Sequence, residues 1–231
     1  MIRKIYFILL FFVIGCGSDE SYFPHDQGIL WNYNILFTSD YTGNTELKRL
    51  SITNTSLYID KEGISYAKVY SNGNIISFLK EKKSQSLMRT NAVLKSSDDY
   101  DEPVKKTIYP STQFKIDEWK TTSQLFITRG FQPPLRGFIP SAVFEINHFV
   151  KKRNLTVEVQ GKKFVNCIYI LGKGKTEFIA DTRSGPIPID VETKEWLCKG
   201  VGLVKEERIE STNASAFGNM VYKAELVDFK N

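Results

Sequence analysis

The sequence predicts a mostly β protein: an antiparallel meander forming a curved sheet, half-barrel, barrel or sandwich, with little helix after its first fifteen residues. Three observations predict it. In "WNYNILFT" (31–38) strict alternation puts Trp31, Tyr33, Ile35 and Phe37 on one face, the mark of a half-buried strand. Turn residues interrupt the apolar runs at short spacing. No window of twelve or more residues carries a convincing helical period, with 84–95 and 112–128 the nearest candidates. Eleven or twelve short strands in one chain argue for antiparallel neighbours.

The elements follow in order. After "WNYNILFT" come "ELKRLSIT", "SLYID", "ISYAKVYS" and "NIISFLKE". Lys61-Glu62-Gly63 and Ser71-Asn72-Gly73-Asn74 separate them. Asn72-Gly73 is a strong hairpin signal, because a type I′ turn needs positive φ twice and these residues tolerate it. Gly172-Lys173-Gly174-Lys175 reads as another turn. "KSSDDYDEP" (95–103) reads as a surface loop and a boundary between two halves of one sheet system. In "FQPPLRGFIP" (131–140) prolines and glycines exclude a regular element. Its Phe131, Leu135, Phe138 and Ile139 are apolar, so this loop packs over a core or covers an opening. The remaining strands are "AVFEINHFV", "LTVEVQ", "KFVNCIYIL", "TEFIADT", "KEWLC", "GLVKEERIES" and "MVYKAELVDF".

The N-terminus has its own pattern. Arg3 and Lys4 precede an apolar run, Ile5 to Ile14, that is half the roughly 20 residues a membrane-spanning helix needs. A charged start and a short apolar segment ending on small residues mark a secretory signal. Here the run closes on Val13-Ile14-Gly15-Cys16, which resembles the lipobox of bacterial lipoproteins. The resemblance implies cleavage after residue 15, lipidation of the Cys16 thiol, and acylation of its new amino group. Only a thiol readily forms the thioether. Each buried methylene contributes about 0.8 kcal/mol, so several chains on one residue hold permanently where one does not. Gly17, rather than Asp, follows the cysteine, which in Gram-negative lipoproteins implies the outer membrane, facing the periplasm. Residues 16–21 then form a lipidated tether and 22–231 a single β-rich domain.

Removing fifteen of 231 residues leaves a mature chain of 216, enough for one sizeable core and short for two. Arg3 and Lys4 leave with the signal, so the formal charge falls from +5 to +3. That is too little to argue for nucleic acid, though scattered lysines tolerate an anionic membrane surface. The chain holds 16 Phe, 11 Tyr and 3 Trp, most of them expected in the core. With Cys16 assigned to lipid, Cys167 and Cys198 remain. An oxidising compartment permits a disulfide between them; two buried free thiols are the alternative.

Chemistry-bearing motifs are scarce. His25 follows Pro24 near the anchor and reads as exposed. His148 is in phase with Phe144, Ile146 and Val150, so it falls on a buried strand face and reads as a core histidine. "GKGKT" (172–176) imitates a phosphate loop, but Tyr169 occupies the required glycine position. "GVGLVK" (200–205) imitates a dinucleotide loop, but Lys205 stands at the third glycine. Gly200 and Gly202 read as turn or bulge glycines. "DDYDE" (98–102) lacks the spacing of a calcium loop. No cofactor and no metal site is expected.

Two stretches resemble a group of bacterial envelope lipoproteins. "YFPHDQGILWNYNI" (22–35) is similar to their opening, and "WLCKGVGLVKEE" (196–207) to their closing motif. His25 and Cys198 depart from that pattern. The resemblance implies a curved antiparallel sheet around a hydrophobic interior and implies no particular activity. The half-barrel carriers of the outer membrane are similar in outline, without a shared motif. The expected role is non-catalytic binding of an apolar ligand or lipid. The alternatives are assembly or scaffolding of envelope proteins, and a hydrolase without a recognisable motif.

Overall fold

The computed structural model describes residues 21–90, 105–128, 143–180 and 185–231. The signal segment, Cys16, "KSSDDYDEP" with its acidic run, and "FQPPLRGFIP" lie outside the described residues. Among the described residues every regular element is a strand. These are β1 (Leu30–Ser39), β2 (Asn44–Ile59), β3 (Gly63–Tyr70), β4 (Ile75–Glu81), β5 (Leu87–Thr90), β6 (Lys105–Tyr109), β7 (Glu118–Ser123), β8 (Phe144–Val159), β9 (Lys162–Ile179), β10 (Pro186–Cys198), β11 (Gly202–Ser211) and β12 (Asn219–Lys230).

They form one twelve-stranded antiparallel sheet in the order β6-β5-β4-β3-β2-β1-β12-β11-β10-β9-β8-β7. Two six-strand meanders, β1–β6 and β7–β12, are thus joined by the ladder between β1 and β12. That ladder runs the length of β1, from Leu30 opposite Lys230 to Ser39 opposite Met220. The sheet curls until its two end strands meet. β6 and β7 are bridged by side chains: Trp119 Nε1 donates to the Ile108 carbonyl at 3.0 Å, and Lys106 Nζ to the Thr122 carbonyl at 2.8 Å. The result is a nearly closed barrel with a seam.

The strand count agrees with the expectation, but the division differs. "ELKRLSIT" and "SLYID" are one strand, β2, with an irregularity between Thr55 and Tyr58. "AVFEINHFV" and "LTVEVQ" merge as β8, and "KFVNCIYIL" and "TEFIADT" as β9. β5, β6 and β7 were not legible, being short and, in β6 and β7, largely polar. The nearest helical candidates, 84–95 and 112–128, contain β5 and β7 instead. Residues 95–103 do not divide the sheet, because β5 and β6 pair on either side of them; the meanders part after β6.

Three local expectations are corrected. Gly172-Lys173-Gly174-Lys175 is not a turn but the middle of β9. There Gly172 lies opposite His148 on one side and Thr193 on the other. A Cβ at Gly172 would stand 2.2 Å from Thr193 Oγ1 and 2.9 Å from Ile146 Cγ2, so glycine is required by close packing rather than by φ. The Asn72-Gly73 hairpin forms, yet only Gly73 has positive φ, at 88°. It is a type I turn with a glycine bulge, in which Asn72 Oδ1 accepts from the Asn74 N–H at 3.1 Å. His25 is half-buried, its ring 6.1 Å from that of Tyr66. The buried Pro24 before it carries the chain inward.

The core has three parts. At one end Tyr22 and Phe23 plug the barrel against Phe114, Tyr66, Leu87, Ile168 and Leu197. At the other, Ile127 and Phe217 pack with Phe144, Phe178, Ile189 and Met220. The third centres on Trp31, Tyr33, Val204 and Leu226. Cys167 and Cys198 belong to it, stand directly opposite across β9 and β10, and form a disulfide. Closing a loop of 31 residues in sequence, it stabilises by roughly 3–4 kcal/mol through restriction of the unfolded chain. Gly200 and Gly202 both have positive φ, 73° and 93°, in the turn from β10 to β11.

Gly172→Ala should lower stability by about 1–3 kcal/mol through overpacking. Urea unfolding measures it; an unchanged midpoint would contradict the close approach of Thr193 and Ile146.

Candidate functional site in the barrel interior

Alternation in β10 and β11 turns Thr193 and Glu195, and Glu206, Arg208 and Glu210, toward the interior. Glu195 lies directly opposite Glu206 in the ladder. Two carboxylates so paired repel when both are ionised. Tyr109, reaching across from β6, donates its hydroxyl to Glu195 Oε2 at 2.5 Å. Burial raises the Glu195 carboxyl, against the effect of that hydrogen bond. Burial pushes Glu206 up to about 7, Glu195 adds to the rise, and Arg208 opposes it. Burial and the neighbouring Glu195 hold the Tyr109 phenol well above its usual range. Both glutamates keep some accessible surface because they face a cavity.

Below this pair the interior is anchored by charge. Glu210 has no accessible surface, and Arg208 very little. Arg208 NH2 lies 2.6 Å from Glu210 Oε1. The same carboxylate accepts the backbone N–H of Phe126, at 2.8 Å, and of Ile127, at 2.6 Å. The segment after β7 is thereby drawn into the barrel, and Arg208 stacks 4.3 Å over the Phe126 ring.

Glu206 lines two cavities. The larger, about 840 Å³, is lined by Ile35, Phe37, Leu50, Phe126 and Tyr222, with Glu46, Lys48 and Arg49 at its margin. Its mouth lies between the β1–β2 and β3–β4 turns. The smaller, about 220 Å³, lies at the β6–β7 seam and reaches His148, Thr193, Glu195, Glu206 and Arg208. Its polar lining includes two atoms without a hydrogen-bond partner, His148 Nδ1 and Thr193 Oγ1. His148 is 7% exposed and Thr193 6%, so water outside the cavity does not reach them. Both converge on the space above Gly172. The other ring nitrogen of His148 is 2.8 Å from Thr121 Oγ1, and Trp119 stacks on the ring at 5.2 Å. Burial lowers His148 to about 4, so the imidazole is neutral at physiological pH. One more cation lies inside: Lys68, brought down to about 8 by burial, stands 4.4 Å over the Trp31 ring.

Of the residues the sequence offers for chemistry, His148 falls in this site; Ile35 and Phe37 line its larger cavity, and Gly172 lies beneath the smaller. Cys167, Cys198, Gly200 and Gly202 serve the fold, and Cys16 is outside the described residues. The Glu195–Glu206 pair was missed. Its signal is present in "GLVKEERIE", where Val204, Glu206, Arg208 and Glu210 alternate, but charges at period two are ordinarily read as the solvated face. Among the described residues no three His, Cys, Asp or Glu side chains gather as a metal site requires.

No protein-family model matches the chain, and no curated protein matches it in sequence. Two solved structures are similar to it in outline. One, from Bacteroides fragilis, is provisionally described as an exported protein with a YmcC-like fold. It is 12% identical with a TM-score of 0.43, over 92% of this chain and 100% of that one. The other, from Parabacteroides distasonis, is provisionally described as a lipoprotein. It is 14% identical with a TM-score of 0.38, over 91% and 99% of the respective chains. At these scores no residue, role or ligand is carried from either protein to this one.

Glu210→Ala removes the charge partner of buried Arg208 and leaves the Phe126 and Ile127 amides without their acceptor. A loss of about 3–5 kcal/mol is expected, read by chemical denaturation. A second expectation concerns pH. The Glu206 carboxyl binds its proton more tightly folded than unfolded, so its contribution to stability is present below about 4.5 and is lost as pH rises through about 7. Glu206→Gln should therefore unfold at higher temperature than wild type at pH 8, with the difference closing near pH 4. Parallel melting curves across that range would contradict the raised carboxyl.

Proposed function

We propose that this is a lipid-anchored protein of the bacterial envelope, held through Cys16 at the periplasmic face of the outer membrane, that binds a small amphipathic ligand inside its barrel. The observation that carries the binding role is the position of Glu206, which faces both cavities. An apolar portion fits among Ile35, Phe37, Leu50, Phe126 and Tyr222. A polar portion reaches past Glu206 to the unpartnered His148 Nδ1 and Thr193 Oγ1. Buried polar atoms without partners are costly, and a ligand that pairs them offsets that cost. The apolar ligand or lipid expected from sequence is thereby narrowed to one with a hydrogen-bonding end. The anchor rests on the lipobox resemblance.

A second reading, acid–base catalysis, is supported by one observation. Glu195 and Glu206 face one another beside a cavity and burial raises both carboxyls; Glu206, pushed up to about 7, can give and take a proton near neutral pH.

Mass spectrometry of the processed protein purified from membranes tests these points together. The expected result is a diacylglyceryl and acyl mass on Cys16, absent in Cys16→Ser, together with a non-covalent ligand lost in Thr193→Val and Glu206→Gln. Wild-type protein that releases no ligand on denaturation would overturn the binding role. A recovered ligand that changes mass on incubation with wild type, and not with Glu195→Gln or Glu206→Gln, would favour catalysis.

A further inference from the structure

The end of the barrel at which the tether leaves carries a basic rim. Ser21 is fixed there: its carbonyl accepts the Gly200 N–H at 2.8 Å, and its hydroxyl accepts the Phe23 N–H at 3.0 Å. Ser21 lies five positions after Cys16, a span of at most ~17 Å. A lipidated Cys16 therefore holds this end, and not the other, against the bilayer. Around Ser21 and Tyr22 lies a polar recess of about 410 Å³ lined by Lys80, Lys199, Gln85, Thr112 and Gln113. Lys82 and Lys83 stand exposed in the adjoining turn, and Lys115 in the loop beside Gln113. Carboxylates share this end: Asp117 pairs with Arg153, and Glu62, beside Lys82, with Lys105, while Asp26 and Glu118 stand exposed. Ile116, 46% exposed, gives the same rim an apolar point.

We infer that this rim is a second membrane contact, in which Lys80, Lys82, Lys83, Lys115 and Lys199 meet the headgroups of anionic phospholipids. The inference rests on the anchored reading for its geometry. The charge complementarity supplies the rest: a basic residue at an anionic surface contributes about 1 kcal/mol, and the attraction fades within a Debye length of about 8 Å at physiological salt. Because β1 starts beside Val201 and ends at Ser39, the mouth of the larger cavity lies at the opposite end. Docked this way, the barrel presents the end plugged by Tyr22 and Phe23 to the lipid and the mouth of the larger cavity to the aqueous side.

The processed full chain is reconstituted into vesicles of phosphatidylcholine alone, or with one third phosphatidylglycerol, and its lysines are labelled with an amine-reactive reagent and read by mass spectrometry. Labelling of Lys82, Lys83 and Lys199 is expected to fall about fivefold in the anionic vesicles and to recover in high salt. Lys173 and Lys175, on the far part of β9, should label equally in both. Equal labelling of the rim in the two vesicle types overturns the inference, as does protection by inorganic phosphate without anionic lipid, which would indicate a free-anion site. In the exposed double variant K82E/K83E, protection of Lys115 should disappear while the melting temperature stays unchanged; persistent protection overturns it. A chain that fails to join phosphatidylcholine vesicles marks a failure of the anchor alone, since the anionic vesicles still report on the rim.

Discussion

The ladder between β1 and β12 is the constraint on which the rest depends. It joins the two meanders strand to strand, and it does so between the first and last strands of the sheet-forming chain. Every other ladder pairs sequence neighbours, which costs little loop entropy. This one cannot form until both ends of the domain have been brought together. Once it does, Trp31 and Tyr33 on β1 donate to the carbonyls of Val201 and Leu203. The interior then exists as a shared space, and residues from β3, β6, β10 and β11 face one another across it.

That space is layered. Its two ends are filled by aromatic and aliphatic side chains, and its middle is not. A barrel of this many strands is wider than side chains alone fill, so the middle retains cavities. Charged groups lie there either paired, as Arg208 and Glu210 are, or facing a cavity, as Glu195 and Glu206 do. Glu210 meets a guanidinium and two amides, whereas Glu195 and Glu206 compete for one region and hold a proton. The first arrangement positions the Phe126 segment. The second leaves a carboxyl with a raised pKa lining two cavities.

How much of this was legible in the sequence follows from the physics of each element. β1 was readable because Trp31, Tyr33, Ile35 and Phe37 alternate between a wet and a dry side. β8 and β9 were read as broken where Lys151–Asn154 and Gly172–Lys175 fall, since polar runs and glycines normally end strands. Here the first lies in an exposed stretch of β8, and the second makes room for His148 and Thr193. β5 to β7 are short, and β6 and β7 are polar edge strands stabilised by position rather than by pattern. The carboxylate pair was hidden for a deeper reason. Alternation shows which residues share a face, but not whether that face is turned to bulk water or to an enclosed polar cavity; only closure decides this.

The seam between β6 and β7 gives the molecule the mechanics of a split ring. Elsewhere around the circumference, widening the barrel means breaking a ladder of backbone hydrogen bonds cooperatively. At the seam it means releasing two side-chain donors, Trp119 and Lys106, from single carbonyls. Fluctuations in diameter therefore concentrate there, beside the ring of His148. The lysines along both edges, Lys105 and Lys106 on one and Lys120 on the other, discourage a foreign strand from completing the circle. The gap is kept as a gap, and the barrel can breathe at one line without losing its shape at any other.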